Sequence, residues 1–281
     1  MVAGSVSRTR TVLGARILVL SLGALLMILP FAFMVGTSFK QNALVLEIPV
    51  KLLPHHPTTA NYTQAWSSNR FGRYFLNSLL VAVATTFFSV WLSSMMAYAF
   101  ARFSFPGRRI LFGLLLIGLM VPTMMLIIPQ FILAKNLGML DSLSGLVFFY
   151  TGGTLALNTF LLRSFFQDIP KELEEAMVVD GAGPWKRYLK LVLPLSRPAL
   201  ATVAIFSFLA SWDEFVWALT VINDPNKRTL PIAIALFQGE HSTSWGLVFA
   251  ASTILVGPVI LVFAIFQRQF VSGLTTGAVK A

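Results

Sequence analysis

Six apolar runs, each long enough to cross a bilayer, constrain this chain more than any other feature of its sequence. About 20 helical residues at 1.5 Å per residue cover roughly 30 Å of hydrocarbon. The runs occupy about residues 17–38, 75–101, 110–134, 142–162, 198–222 and 243–266, and only the fifth carries charge, Asp213 and Glu214. Lipid offers no partner to backbone N–H and C=O groups, so such runs fold as helices that satisfy their own hydrogen bonds. The expected fold class is therefore all-α integral membrane, with six transmembrane helices. Composition agrees: 56% of the chain is hydrophobic and 11% charged, against about a quarter charged in a soluble domain. The first run follows Arg8, Arg10 and Arg16 as a signal peptide would. It exceeds the roughly 7–15 residues of a signal core and is expected to remain as an anchor.

The net charge of +10 does not point to nucleic acid, because the basic residues flank the spans instead of forming one soluble stripe. With the amino terminus inside, 14 of the 21 basic residues fall on the cytoplasmic side, among them Arg102, Arg108, Arg109, Arg163, Lys186, Arg187 and Arg197. That bias orients the chain with both termini cytoplasmic. The outer segment 40–74 carries Pro49, Pro54, Pro57 and Trp66 and reads as an ordered cap. The inner segment 163–197 has room for two short helices around Asp180-Gly181-Ala182-Gly183-Pro184. Gly181 suits a helix end needing positive φ, and Pro184 suits a first helical turn.

Catalytic constellations are sparse. No Gly-x-x-x-x-Gly-Lys loop is present, so ATP is not expected to bind this chain in the usual way. The three histidines, His55, His56 and His241, lack metal-ligand spacing, and with no cysteine there is no thiolate site. No metal and no resident cofactor are predicted, and the chain is not read as an enzyme. Gly152-Gly153 inside the fourth run reads as a packing feature, since small residues let helices approach closely.

One stretch changes the reading. Glu175-Ala176-Met177 is followed by three residues and Gly181, then after nine more by Leu191-Val192-Leu193-Pro194. This resembles the Glu-Ala-Ala loop of ABC importer permeases, with Met177 in place of the second Ala and Leu191 in place of Ile. The resemblance implies that Glu175, Ala176, Met177, Asp180, Gly181, Leu191 and Pro194 belong to a coupling loop docking into a groove on an ATPase subunit. Glu175 would supply a charge for that partner, and Ala176 with Met177 an apolar knob.

The similarity covers nearly the whole chain and favours the second permease of maltose-type carbohydrate importers, a type I ABC importer permease fold. Asn77-Ser78-Leu79, Ala97-Tyr98-Ala99-Phe100-Ala101-Arg102-Phe103 and Phe105-Pro106-Gly107 carry it, with a tail ending Gly277-Ala278-Val279-Lys280. The family implies that this tail reaches between the ATPase subunits. It also implies a transmembrane core over about 71–270, preceded by an anchor and outer loop (1–70) and followed by a cytoplasmic tail (271–281). Its partners would be a homologous second permease, two ATP-binding subunits that hold ATP and Mg, an extracytoplasmic solute-binding protein and membrane lipid. The setting would be a bacterial or archaeal cytoplasmic membrane.

Trp212-Asp213-Glu214-Phe215 lies about 24 Å beyond the start of the fifth run. Acids at such depth face a water-filled path or a partner, whereas at a helix end near the surface they are simply hydrated. Trp212 and Trp217 would stack on a sugar or mark the interface belt. With no basic residue inside a span, neutral solutes such as a sugar fit better than anions; the alternative cargo is glycerol phosphate or another small polar solute.

Overall fold

The computed structural model describes the backbone of residues 3–41, 45, 47, 49, 51–68, 70–239 and 243–278, and side chains over the same residues apart from 3–12, 15 and 268–278. His241, Val279 and Lys280 lie outside the described residues. In chain order the α-helices are α1 (Ala3–Ser38), α2 (Ala60–Ser67), α3 (Phe71–Arg102), α4 (Arg108–Ile117), α5 (Ile127–Asn136), α6 (Leu143–Asp168), α7 (Lys171–Val179), α8 (Pro184–Arg187), α9 (Leu193–Leu195), α10 (Arg197–Trp212), α11 (Val216–Val221), α12 (Leu230–Ala235) and α13 (Trp245–Ala278). Among the described residues the only β pairing is an isolated bridge between Gln238 and Thr243.

Among the described residues, four helices are long and apolar enough to span a membrane alone, over Arg16–Ser38, Phe71–Arg102, Leu143–Asp168 and Trp245–Gln267. Counting two bent pairs brings the number to six. The third apolar run is not the continuous span expected over 110–134. Its helical parts Arg108–Met120 and Thr123–Asn136 meet at 99°, because Pro122 forces Val121 out of the helical region (φ −87°, ψ 119°). The fifth run also breaks: α10 is 16 residues long, about 24 Å, and Asp213, Glu214 and Phe215 separate it from α11.

The chain divides into two compact units, Met1–Asn69 with Ile234–Val256, and Arg70–Ala233 with Gly257–Ala281. In the first, described residues that follow α1 are tied to one another and to α2. Lys40, 2% exposed, donates to the Lys51 carbonyl at 2.6 Å. The Asn61 amide donates to the carbonyls of Ser38 and Lys40 at 2.8 and 2.7 Å, and Phe39 packs on Tyr62. A buried ammonium needs such partners, since an unsatisfied one is costly.

The second unit is built on α3, α6 and α10, which pack along their lengths. Among the described residues, two apolar clusters lie in its core. One gathers Val81, Ala134, Leu146, Trp217 and Val221, and the other Ala97, Leu162, Phe166, Tyr188, Val192 and Val203. Polar bonds cross between the helices: Ser89 with Thr154 at 2.7 Å, and Asn158 Nδ2 donating to Ser207 at 2.7 Å. In an apolar medium each such bond contributes about 0.6–2 kcal/mol.

The Asn77-Ser78 motif has a structural task. Asn77 Nδ2 donates to the carbonyls of Asn226 and Arg228, both at 2.9 Å, and Ser78 Oγ accepts the Leu230 N–H at 2.8 Å. The beginning of α3 thereby holds residues 226–230. The same loop is tied to the turn before α6, where Asp141 Oδ1 accepts the N–H groups of Asn223 and Asp224. The Asn226 backbone N–H beside Asp224 holds that carboxyl below its ordinary value, with further support from Lys227.

Gly152 and Gly153 do not serve close approach within this chain. A methyl group at either would meet nothing within 4 Å. They line an open apolar groove of about 930 Å³, together with Leu80, Phe88, Leu126 and Phe148.

Candidate functional site

At the far end of α3 from Asn77, the segment following α6 turns back as α7. Glu172 and Glu174 stand in its first turn, where acids complement the positive end of the helix dipole. The helix ends by a Schellman arrangement: Gly181 takes φ +74°, its N–H bonds to the Val178 carbonyl at 2.9 Å, and the Ala182 N–H bonds to Met177 at 2.8 Å. Ala182 is buried while Asp180, the residue that closes the helix, is exposed. Pro184 then opens α8. A wider π turn over Tyr188–Val192, which contains Leu191, and α9, which contains Pro194, lead into α10. The helical stretches Pro184–Leu195 and Arg197–Trp212 are inclined at 80°.

Adjacent residues of a helix point about 100° apart, and the two glutamates of α7 separate accordingly. Glu175 and Ala176 face solvent. Glu174 is 7% exposed, and its carboxylate lies 2.7 Å from Arg102 Nε and 3.6 Å from Arg187 Nη1. Arg102 also donates through Nη2 to the Ile169 carbonyl at 2.7 Å. Tyr98 donates to the Pro184 carbonyl, its ring packs on Tyr188, and Tyr188 shares a 2.7 Å hydrogen bond with Ser94. The Ala-Tyr-Ala-Phe-Ala-Arg motif therefore anchors the α7–α8 turn. The apolar knob differs from expectation: Met177 is half-buried beside Glu174, and the outward apolar surface comes from Ala176, Val178 and Val179, the last 87% exposed.

A second candidate lies at the α10–α11 break. Glu214 folds back over α11, accepting the N–H groups of Trp217 at 2.7 Å and Ala218 at 3.0 Å, and the Tyr150 hydroxyl at 2.5 Å. Beside it is a cavity of about 280 Å³ whose polar lining is Thr123, Gln130, Tyr150, Thr154, Ser211 and Glu214, with Trp217 as an aromatic wall and no basic residue among the described lining residues. Asp213 is exposed at the end of α10 and does not line this cavity. Trp212, expected along a path, is instead fully buried in the core, packed on Phe75 and Phe208. Gly277 and Ala278 stand at the end of α13, whose side chains there are outside the described set.

Sequence reasoning gave Arg102 and Arg187 no pairing role, reading them as cytoplasmic flanking charges, with Arg102 also in a motif, and missed Glu174, Tyr150 and Gln130. The helical phase of α7 relative to Glu175 was the available signal for Glu174. Tyr150 and Gln130 carry none, because they stand in runs whose character is set by their apolar neighbours.

Residues 89–276 match the family described as binding-protein-dependent transport system inner membrane component. The chain belongs to this family and is a multi-pass inner-membrane permease of an ABC transport system. Within it, the chain is similar to permeases of saccharide uptake. A diacetylchitobiose uptake system permease protein of Streptomyces coelicolor is 35% identical, over 93% of this chain and 87% of its own. A trehalose/maltose transport system permease protein of Thermococcus litoralis is 38% identical, over 94% and 96%. A trehalose transport system permease protein of Mycobacterium tuberculosis is 35% identical, over 90% and 92%. The fold matches that of a bacterial ABC transporter involved in import of the polysaccharide alginate, with TM-score 0.80 and 24% identity over 94% of this chain and 98% of that one.

Proposed function

We propose that this chain is one permease subunit of a binding-protein-dependent importer that carries a neutral di- or oligosaccharide across the cytoplasmic membrane. It pairs with a homologous permease and receives its cargo from an extracytoplasmic solute-binding protein. Its energy comes from two partner subunits that bind and hydrolyse ATP with Mg, so this chain itself is not an enzyme. Both termini are cytoplasmic. The observation that carries the reading is α7: a short helix, ended by a left-handed glycine, that offers Glu175, Ala176 and Val179 outward while its inner face is fastened to α3.

The saccharide assignment draws on the relatives' names and on the chemistry of the cavity beside Glu214. Hydroxyl and amide groups with an aromatic wall suit polyols, and the described lining residues include no basic one to favour a phosphate-bearing cargo. Alternating access follows if ATP and the loaded binding protein each favour one of two permease states. The test is uptake into proteoliposomes holding both permeases and the ATPase, with the binding protein on one side. Uptake of a labelled neutral disaccharide that needs both ATP and the binding protein is expected. An assembled complex that moves glycerol phosphate but no sugar would overturn the cargo, and uptake without the ATPase would overturn the class.

A further inference from the structure

The two adjacent glutamates of α7 have different surroundings, and the proposed importer function gives the inner one a role. Glu175 faces away from the protein. Glu174 is enclosed between two guanidinium groups from different elements: Arg102, the last residue of α3, and Arg187, the last residue of α8. Arg102 additionally holds the Ile169 carbonyl, in the link between α6 and α7. One carboxylate therefore joins α7 to the central bundle helix on one side and to the turn leading into α10 on the other. It is also the only carboxylate paired to either arginine among the described residues.

We propose that Glu174 is the positioning residue through which displacement of the docked helix reaches the membrane bundle, while Glu175 serves docking alone. This rests on the coupling role assigned to α7. Apolar contacts are non-directional and fix the position of a helix less specifically than paired charges do. A buried carboxylate held at two charged points resists sliding, because moving it away leaves uncompensated charge in a site of low dielectric. Arg102 and Arg187 also need the carboxylate: without it, two like charges face each other there. The latch thus makes α7, α3 and α8 move together when a partner pulls on α7.

The experiment compares Glu174→Gln and Glu175→Gln in the complete reconstituted transporter, reading ATPase co-purification, uptake, and stimulation of ATP hydrolysis by loaded binding protein. Glu174→Gln should retain the ATPase within about twofold, yet lose stimulation and uptake about tenfold or more, as expected for a buried pair broken from one side. Arg102→Gln should show the same loss, and the double variant should lose less than the sum of the two singles, the signature of a shared interaction. If Glu174→Gln does not reach the membrane, Glu174→Asp, which keeps the charge on a shorter arm, is read by the same criteria. Wild-type coupling in the Glu174 variant, or ATPase loss equal to that of Glu175→Gln, would overturn the inference. A wild-type chain that recruits no ATPase at all would overturn the importer reading beneath it, which is a different outcome.

Discussion

The Tyr150 hydroxyl donates to Glu214 across 2.5 Å, fastening the N-terminal part of α6 to the break between α10 and α11. The same carboxylate closes the start of α11 through the N–H groups of Trp217 and Ala218. Glu214 is thus a structural cap and a cavity wall at once.

Glu214→Leu should consequently harm more than transport. It leaves a hydroxyl and two N–H groups without their acceptor, at about 1–3 kcal/mol each, so both the melting temperature of the purified chain and sugar uptake should fall. Asp213→Asn should be mild in both measurements, because the exposed Asp213 side chain does not line the cavity. Equal effects of the two substitutions would contradict this division.

Glu175→Lys should leave the protein inserted while weakening ATPase association, because it reverses charge on the exposed face of α7. Co-purification of the ATPase at wild-type yield together with normal uptake would remove Glu175 from the docking surface.

Gly181→Ala places a Cβ on a residue at φ +74°, a conformation that costs an L-residue about 1–2 kcal/mol. Gly183→Ala is the matched control, at φ −66° and with nothing near the added methyl. Gly181→Ala should loosen the α7 turn and reduce uptake, and Gly183→Ala should do neither. Uptake rates of the two variants, at equal amounts in the membrane, decide it.

Orientation is open to direct labelling because the chain has no cysteine. With both termini cytoplasmic, Ser68→Cys should react with an impermeant thiol reagent applied outside intact cells. Val179→Cys, on the exposed end of α7, should react only after the membrane is opened. The reverse pattern would invert the topology.

Much of this was legible in the sequence because lipid imposes simple rules: apolar runs marked the spans, and Gly181 and Pro184 marked the α7 end and α8 start where the structure has them. The breaks were less legible. Hydropathy is blind to backbone direction, so the run over 110–134 looked continuous although Pro122 turns it by 99°. Burial was hidden for a related reason: Trp212 has the character of a sugar platform, and only the neighbouring rings of Phe75 and Phe208 decide that it is core. Glu174 and Glu175 are chemically identical, and what separates them is the helical phase set by packing against Arg102.

The 32 residues of α3, about 48 Å at helical rise, contain no proline, and their two ends carry different duties. Arg102 grips Glu174 at one end, and Asn77 and Ser78 grip residues 226–230 at the other. A hydrogen-bonded helix changes little in length, so under the coupling role proposed for α7, α3 would act as a pushrod. An axial shift imposed at Arg102 would then arrive at Asn77 as motion of the loop it holds.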